Sequence, residues 1–341
     1  MSQSLTSSGR RQERRTVEGK PPDYRKPAQR DHDRILYSSA FRRLGGVTQV
    51  VAAHEGHVFH NRLTHSIRVA QIARRLAQKF LGEGAEKAEA VGGIDPDVAE
   101  AAGLAHDLGH PPFGHIAEEE LRSCVAEGRH IWDGFEGNAQ SFRIVAKLAL
   151  RSPEVPGLNL TRATLNALLK YPWTRQSGGS QSDKYGVYQS EIADFRFARE
   201  LQPASDDERK CPEAEIMDWA DDVTYAVHDA EDFYRARLIP LDRLASLDDG
   251  SERKRFFDQM YQRPELAKRM GSEPRVQLED AFLKVITTFS ISEPYTGTRE
   301  HRSRLRDFSS NLISQFVDAI ELHVPSNQSE AFVKIRPLQR L

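Results

Sequence analysis

Apolar positions recur along this chain at helical spacing, and the two-residue alternation typical of strands is nearly missing. Residues 1–30 mix Arg, Lys, Ser, Pro and Gln with almost no apolar period and read as a mobile basic arm. Ile35, Ala40, Phe41 and Leu44 then share one face of a helix predicted from Arg34 to Leu44, which Gly45-Gly46 ends. The run VTQVV, the pair Glu55-Gly56 and HVF read as a small β-hairpin or irregular turn near residues 47–60. A stronger helix is predicted from about Leu63 to Leu81, with Val69, Ile72, Ala73, Leu76 and Phe80 as its buried stripe. His65 lies four residues before Val69, so it points toward the same core. The Ala-rich run DVAEAAGLAHDL at 97–108 predicts a mostly buried helix that ends at Gly109 and Pro111-Pro112. His106 and Asp107 fall in its last turn, and a further helix after Phe113-Gly114 carries His115 and Glu118. Beyond residue 150 come the helical run LTRATLNALLKY, the polar loop SGGSQSDKYG, an amphipathic helix over 213–237 and a charged helical tail from 240. The expected fold is all-α.

Composition narrows the class. The 341 residues are 38% apolar and 29% charged, with a formal charge of −2, so no global basic excess draws the chain to nucleic acid. Its apolar stretches fall far short of the roughly 20 residues a membrane helix needs, and the opening MSQSLTSSGRRQERR lacks the apolar segment of a secretory signal. Cys124 and Cys211 have no CxxC spacing, which argues against a disulfide framework or a thiolate zinc site. A cytoplasmic location without membrane partners is expected.

The histidines change the picture. Of the 12 in the chain, His54, His57, His60, His65, His106, His110 and His115 crowd into one short stretch, with Asp107 among them. Imidazole and carboxylate donors together suit a divalent metal in a hydrolytic site. Neighbouring His106 and Asp107 point about 100° apart on a helix, yet at a helix end both can reach one ion. On the 213–237 helix, Asp221, Tyr225 and Asp229 are four residues apart and form one polar stripe among Trp219, Val223, Ala226, Val227 and Ala230. Carboxylates set among apolar residues are costly unless a cation or ligand pairs with them. His115 and Glu118, three apart, can form an imidazole oriented by a carboxylate. Arg62, three residues before His65, suits either a phosphate fork or a structural salt bridge.

His65, the pair His106-Asp107 and Asp221 resemble the H…HD…D pattern of HD-domain metal-dependent phosphohydrolases. NRLTHS at 61–66, AHDLGHPPFGH at 105–115, FEGNAQS at 135–141, GLNLTRATL at 157–165, LLKYPW at 168–173 and MDWADDVTYAVHDAEDF at 217–233 further resemble the deoxyguanosine triphosphate triphosphohydrolase-like proteins. The resemblance implies an HD-type catalytic helical bundle over 31–240 and a helical C-terminal region over 241–341. It implies one divalent metal (Mn, Mg, Fe, Ni or Co) on His65, His106, Asp107 and Asp221. Asp221 rather than Asp222 is the ligand expected, because only Asp221 has a Tyr and an Asp four and eight residues later.

The implied reaction is hydrolysis of a deoxynucleoside triphosphate to the deoxynucleoside and inorganic triphosphate. His115 with Glu118 would be its acid–base or nucleophilic machinery, with His110 a phosphate contact or a partner behind them. Arg62, Lys170, Tyr171 and Lys184 are the expected phosphate contacts, and Gln49, Tyr225 and Asp229 the expected sugar contacts. A homo-oligomer is expected, and a nucleotide or single-stranded nucleic acid is a candidate effector. Two rivals stand beside this reading: another HD hydrolase, such as a phosphatase or cyclic-nucleotide phosphodiesterase, and a nucleotide sensor or nucleic-acid-binding regulator. The closing EAFVKIRPLQRL reads as entering another helix, so the C-terminal region is expected to be incomplete.

Overall fold

Several helices, those starting at Ser39, Arg62, Pro96, Gly137 and Arg162 among them, begin where a side chain takes up an unpaired amide of the first turn. Asn61 Oδ1 accepts from Thr64 N at 2.9 Å while Thr64 Oγ1 accepts from Asn61 N at 3.0 Å. This reciprocal cap sets the first turn of the helix that holds Arg62 and His65. The computed structural model describes residues 7–19, 23–49, 60–127, 133–175, 184–202, 208–246, 250–263, 275–286, 293–327 and 330–335. Its helices are α1 (Ser7–Arg11), α2 (Pro27–Leu36), α3 (Ser39–Arg43), α4 (Arg62–Glu83), α5 (Ala85–Ala90), α6 (Pro96–Ala105), α7 (Gly114–Glu127) and α8 (Gly137–Arg143). They continue with α9 (Arg162–Ala167), α10 (Ile192–Arg199), α11 (Pro212–Arg235), α12 (Leu241–Ala245), α13 (Ser251–Tyr261), α14 (Arg275–Ile286) and α15 (Arg299–Ala319). The all-α expectation is met, and no described helix is long and apolar enough to cross a membrane.

The chain divides into two compact units, Met1–Thr224 with Ala319–Leu341, and Tyr225–Asp318. The division falls within α11. In the first unit, α6 is the central element and packs against α2, α4 and α9. Val98, Ala99, Ala101, Ala102, Leu104 and Ala105 on α6 are all buried, as the Ala-rich run predicts. Short side chains let helices approach closely, and Gly103 carries this to its limit. A Cβ added there would lie 2.6 Å from Ala70 Cα of α4. In the second unit, Val227, Tyr234, Leu241, Leu244, Ile286, Leu305, Phe308 and Leu312 form a separate apolar core.

Three expectations need correction. The helix predicted over Arg34–Leu44 is broken at Tyr37-Ser38, because Ser38 Oγ accepts from Phe41 N at 3.1 Å and starts α3 anew. Among the described residues, β1 (Ile320–Leu322) pairs antiparallel with β2 (Val333–Ile335), with Ile320 opposite Ile335. Val333–Ile335 thus form a strand within EAFVKIRPLQRL, the segment expected to enter another helix, and residues 336–341 lie outside the described residues. Thr48 and Asn61 do form an isolated antiparallel bridge, while Val50–Phe59, including His54 and His57, lie outside the described residues. Finally, the basic arm is not a solvated tail over its described part. Arg10 pairs with Glu200 at 2.8 Å and Arg14 with Asp31 at 2.5 Å. Arg11 pairs with Glu213 and Arg15 with Asp194.

Replacing Gly103 with Ala should force α4 and α6 apart at their closest point, at a cost of about 1–3 kcal/mol for overpacking. Urea denaturation of Gly103→Ala is expected to show a lower midpoint, and an unchanged midpoint would refute the close approach.

Candidate metal centre

His65 stands in the first turn of α4, and its imidazole is 1% exposed. His106 caps the C-terminal end of α6, and Asp107 follows in the turn that Gly109 completes. That turn is held from three sides. Arg43 Nη2 donates to Leu108 O at 2.8 Å and to His110 O at 3.0 Å. Ser141 Oγ donates to His106 O at 2.8 Å and accepts from Gly109 N at 2.8 Å. Gly109 has no room for a side chain, since a Cβ would meet Gly137 O at 2.3 Å.

The turn brings His65, His106 and Asp107 together, with one ligating atom from each within 4.8 Å of the others. The two imidazole centroids are 5.5 Å apart. Asp221 joins them from α11, its Oδ1 lying 3.0 Å from His65 Nε2 and 3.5 Å from His106 Nε2. Asp222 is exposed, so the helix itself separates the two neighbouring aspartates. All four expected metal ligands occupy one place.

The donor set fits a divalent ion. His106 Nδ1 lies 2.7 Å from Gly103 O and must donate to it, which leaves Nε2 as the nitrogen available to a ligand. That Nε2 is buried and makes no hydrogen bond among the described residues, with Asp107 Oδ2 and Asp221 Oδ1 each 3.5 Å away. Burial opposes charge on His106, but the two carboxylates outweigh it and hold its pKa up to about 9. Burial likewise opposes ionisation of Asp107 and Asp221, yet His106 and the cations beside them keep both well below the ordinary carboxylate range. Two ionised carboxylates and two imidazoles in one buried space are an N/O donor set suited to a divalent ion, which would take the place of the His106 Nε2 proton.

A second cluster lies on α7. His115 Nδ1 is 2.8 Å from Glu118 Oε2, and the imidazole is 75% exposed while the carboxylate is 4% exposed. Glu118 Oε1 accepts from Gly137 N at 3.1 Å, and Lys184 Nζ lies 3.1 Å from both carboxylate oxygens. Burial raises the Glu118 pKa, but these partners outweigh it and bring it to about 2. His110 bridges the clusters in space, its ring 6.0 Å from that of His115. Burial pushes its pKa down to about 4, so it is neutral near pH 7 and donates Nδ1–H to Pro111 O at 2.8 Å.

The other expected residues are placed less simply. Arg62 Nη1 sits 2.6 Å from Asp107 Oδ2, the salt-bridge alternative for this residue. Lys170 Nζ lies between Asp218 Oδ1 at 2.7 Å and Asp221 Oδ2 at 3.0 Å. Lys170 and Lys184 thus pair with carboxylates of the two clusters. Tyr171 is half-buried and packs edge-on against Trp173, centroids 5.5 Å apart. Gln49 has a buried Oε1 with no hydrogen-bond partner among the described residues. Tyr225 and Asp229 are half-buried on the part of α11 that belongs to the second unit. Sequence reasoning missed Arg43, Asp218, Glu136, whose Oε2 accepts from Ala139 N at 2.9 Å and caps α8, and Ser141. The last two lie inside FEGNAQS, whose length as a motif was the available signal.

The HD domain family matches residues 62–226, a span that contains all four clustered metal-ligand candidates and the His115–Glu118 pair. Over those residues the chain carries an HD domain. This HD protein is also similar to the deoxyguanosinetriphosphate triphosphohydrolase-like protein of Streptomyces coelicolor, 40% identical over 86% of this chain and 65% of the relative. The like-named protein of Corynebacterium efficiens is 36% identical over 86% of this chain and 64% of its own length. That of Mesorhizobium japonicum, numbered 1, is 44% identical over 65% of this chain and 50% of its own length. The HD protein therefore spans about two-thirds or less of these relatives.

Glu118 makes stability depend on acid pH. Its folded pKa of about 2 lies below the ordinary 4.5, so its contribution is complete above about 4.5 and is lost as pH falls toward 2. The shift corresponds to something of order 3 kcal/mol. In urea unfolding of the wild type and Glu118→Gln, the stability gap should be widest from pH 5 to 7 and close below about pH 3. A gap independent of pH would refute the ionised pair.

Proposed function

We propose that this HD protein hydrolyses a deoxynucleoside triphosphate to the deoxynucleoside and inorganic triphosphate, using one divalent metal. The observation that carries the reading is His106 Nε2, buried, without a hydrogen bond among the described residues, and facing two ionised carboxylates. His65, His106, Asp107 and Asp221 would hold the ion. When bound, it supplies a Lewis acid for a phosphate oxygen and an organising centre for water.

The protein's own groups carry the rest. Gly103 O fixes the His106 tautomer, and Arg62 braces Asp107 against rotation. Glu118 takes the Nδ1–H of His115, which leaves His115 Nε2 to carry a proton at the exposed end of the ring. His110, neutral beside it, can donate or accept a hydrogen bond without adding charge. Arg62, Lys170, Tyr171 and Lys184 remain the proposed phosphate contacts, which for the three cations means exchanging a carboxylate for phosphate oxygens. Gln49, Tyr225 and Asp229 are assigned to the sugar. Tyr225 and Asp229 follow Asp221 by one and two turns of α11, and the Gln49 amide is short of a partner. The substrate class is supported by the relatives' name, and guanine in that name is a statement about those proteins. Assembly as a homo-oligomer, control by a nucleotide or single-stranded nucleic-acid effector and a cytoplasmic location belong to the same proposal.

Chromatography of products from the four common deoxynucleotides and four ribonucleotides, with several metals, tests the reaction. Inorganic triphosphate is expected as product. An added 2′ hydroxyl buried without a partner costs about 1–3 kcal/mol, so deoxynucleotides should react roughly ten to a hundred times faster. Orthophosphate as the first product would assign the site to another kind of HD hydrolase, and equal rates for ATP and dATP would defeat the sugar assignment.

Two variants probe the site. Asp107→Ala should lose its metal in elemental analysis. His115→Ala should keep metal and fold but lose roughly 10² to 10⁴ in turnover. Unchanged metal content in the first, or wild-type turnover in the second, would remove that residue from its role.

A further inference from the structure

A line of alternating charges runs behind the metal-ligand candidate Asp221. Lys210 Nζ pairs with Asp218 Oδ2, Asp218 Oδ1 lies 2.7 Å from Lys170 Nζ, and Lys170 Nζ lies 3.0 Å from Asp221 Oδ2. The other Asp221 oxygen, Oδ1, is the one that faces His65 and His106. The two oxygens of Asp221 are thus divided, one toward the imidazoles and one toward a cation. Asp218 precedes Asp221 by three residues on α11, which stacks both carboxylates on one face of the helix. A single ammonium arriving from the segment after α9 can therefore bridge them.

The geometry of a carboxylate gives this bridge its purpose. The terminal torsion of an aspartate is broad and nearly two-fold, so an unbraced side chain does not fix which oxygen points where. A cation on one oxygen removes that freedom. An ammonium on a flexible four-carbon stem is itself poorly directed, and Lys170 is directed here because Asp218 takes a second of its donors. Lys210 in turn occupies the far oxygen of Asp218. Asp218 therefore has both oxygens engaged by cations.

We propose that Asp218 is a positioning residue for the metal centre: through Lys170 it turns Asp221 so that Oδ1 is presented to the ion. The inference rests on the metal site proposed for this HD protein, and it adds a residue that does not itself ligate. It differs from a role for Lys170 in holding phosphate alone, because it predicts an effect on metal binding with no nucleotide present.

The test is calorimetric titration of Mn²⁺ into the full chain, for the wild type and for Asp218→Asn, Asp218→Glu and Lys210→Met. Loss of a group that orients a metal ligand typically weakens binding by about 10- to 100-fold, and this loss is expected for Asp218→Asn with one ion still bound and the circular dichroism unchanged. Asp218→Glu should recover part of the affinity. Lys210→Met should weaken binding in the same direction but less, and it carries the test if Asp218→Asn fails to fold. Mn²⁺ affinity equal to wild type within the error of the titration, in a folded Asp218→Asn or failing that in Lys210→Met, overturns the proposal. So does a variant in which metal affinity is intact and only the nucleotide KM rises, which would assign Lys170 to phosphate. A wild type that takes up no Mn²⁺ is a different failure: it refutes the metal site itself, and this inference falls with it.

Discussion

Where α6 crosses α4, the backbone at Gly103 comes so near Ala70 that no Cβ fits between them. That contact governs the chemistry one turn further along each helix. His106 follows Gly103 by three residues and His65 precedes Ala70 by five, and the crossing leaves their rings 5.5 Å apart. A larger residue at 103 would widen the gap between the helices and with it the gap between the two nitrogens proposed to share one ion. Gly103 also supplies the carbonyl that sets the His106 tautomer. One residue with no side chain thus fixes both the distance between the two imidazoles and the protonation of one of them.

The second constraint is electrostatic. His65, His106 and Asp221 are buried, and Asp107 is nearly so. Charges in such a place are tolerated only when each is paired, and removing one partner strands the other. The first unit answers with a network in which every carboxylate of the centre touches a cation or an imidazole: Asp107 has Arg62, Asp221 has Lys170 and His65, and Glu118 has Lys184 and His115. Such a network holds the acids ionised, which a metal ligand or an imidazole-orienting carboxylate requires.

The packing around the turn after α6 is equally specific. Arg43 holds two of its carbonyls, Ser141 spans a carbonyl and an amide, and Gly109 allows the chain of α8 to press against it. Residues from α3, α6 and α8 thus converge on a few backbone atoms. The proposed ligands His106 and Asp107 are therefore held by main chain as much as by their own rotamers, the rigid support that a metal site requires.

Much of this was legible in the chain. Helical periodicity placed α4, α6 and α11 within a few residues of their observed limits, because the apolar stripe of a helix is a local property of some twenty positions. The family resemblance chose Asp221 over Asp222, through the Tyr and Asp four and eight residues later, and the helix leaves Asp222 exposed. The clustering of His65, His106 and Asp107 followed from inward-facing positions on two buried helices. What sequence could not decide was which charge meets which. Arg62 with Asp107, Lys170 with Asp218 and the arm's Arg11 with Glu213 are partners distant in sequence, and nothing local distinguishes a phosphate-binding lysine from one held by a carboxylate. The break between α2 and α3, the hairpin of β1 and β2, and the division within α11 were decided in the same way. Periodicity is written residue by residue, whereas pairing and crossing are settled only when distant segments compete for the same space.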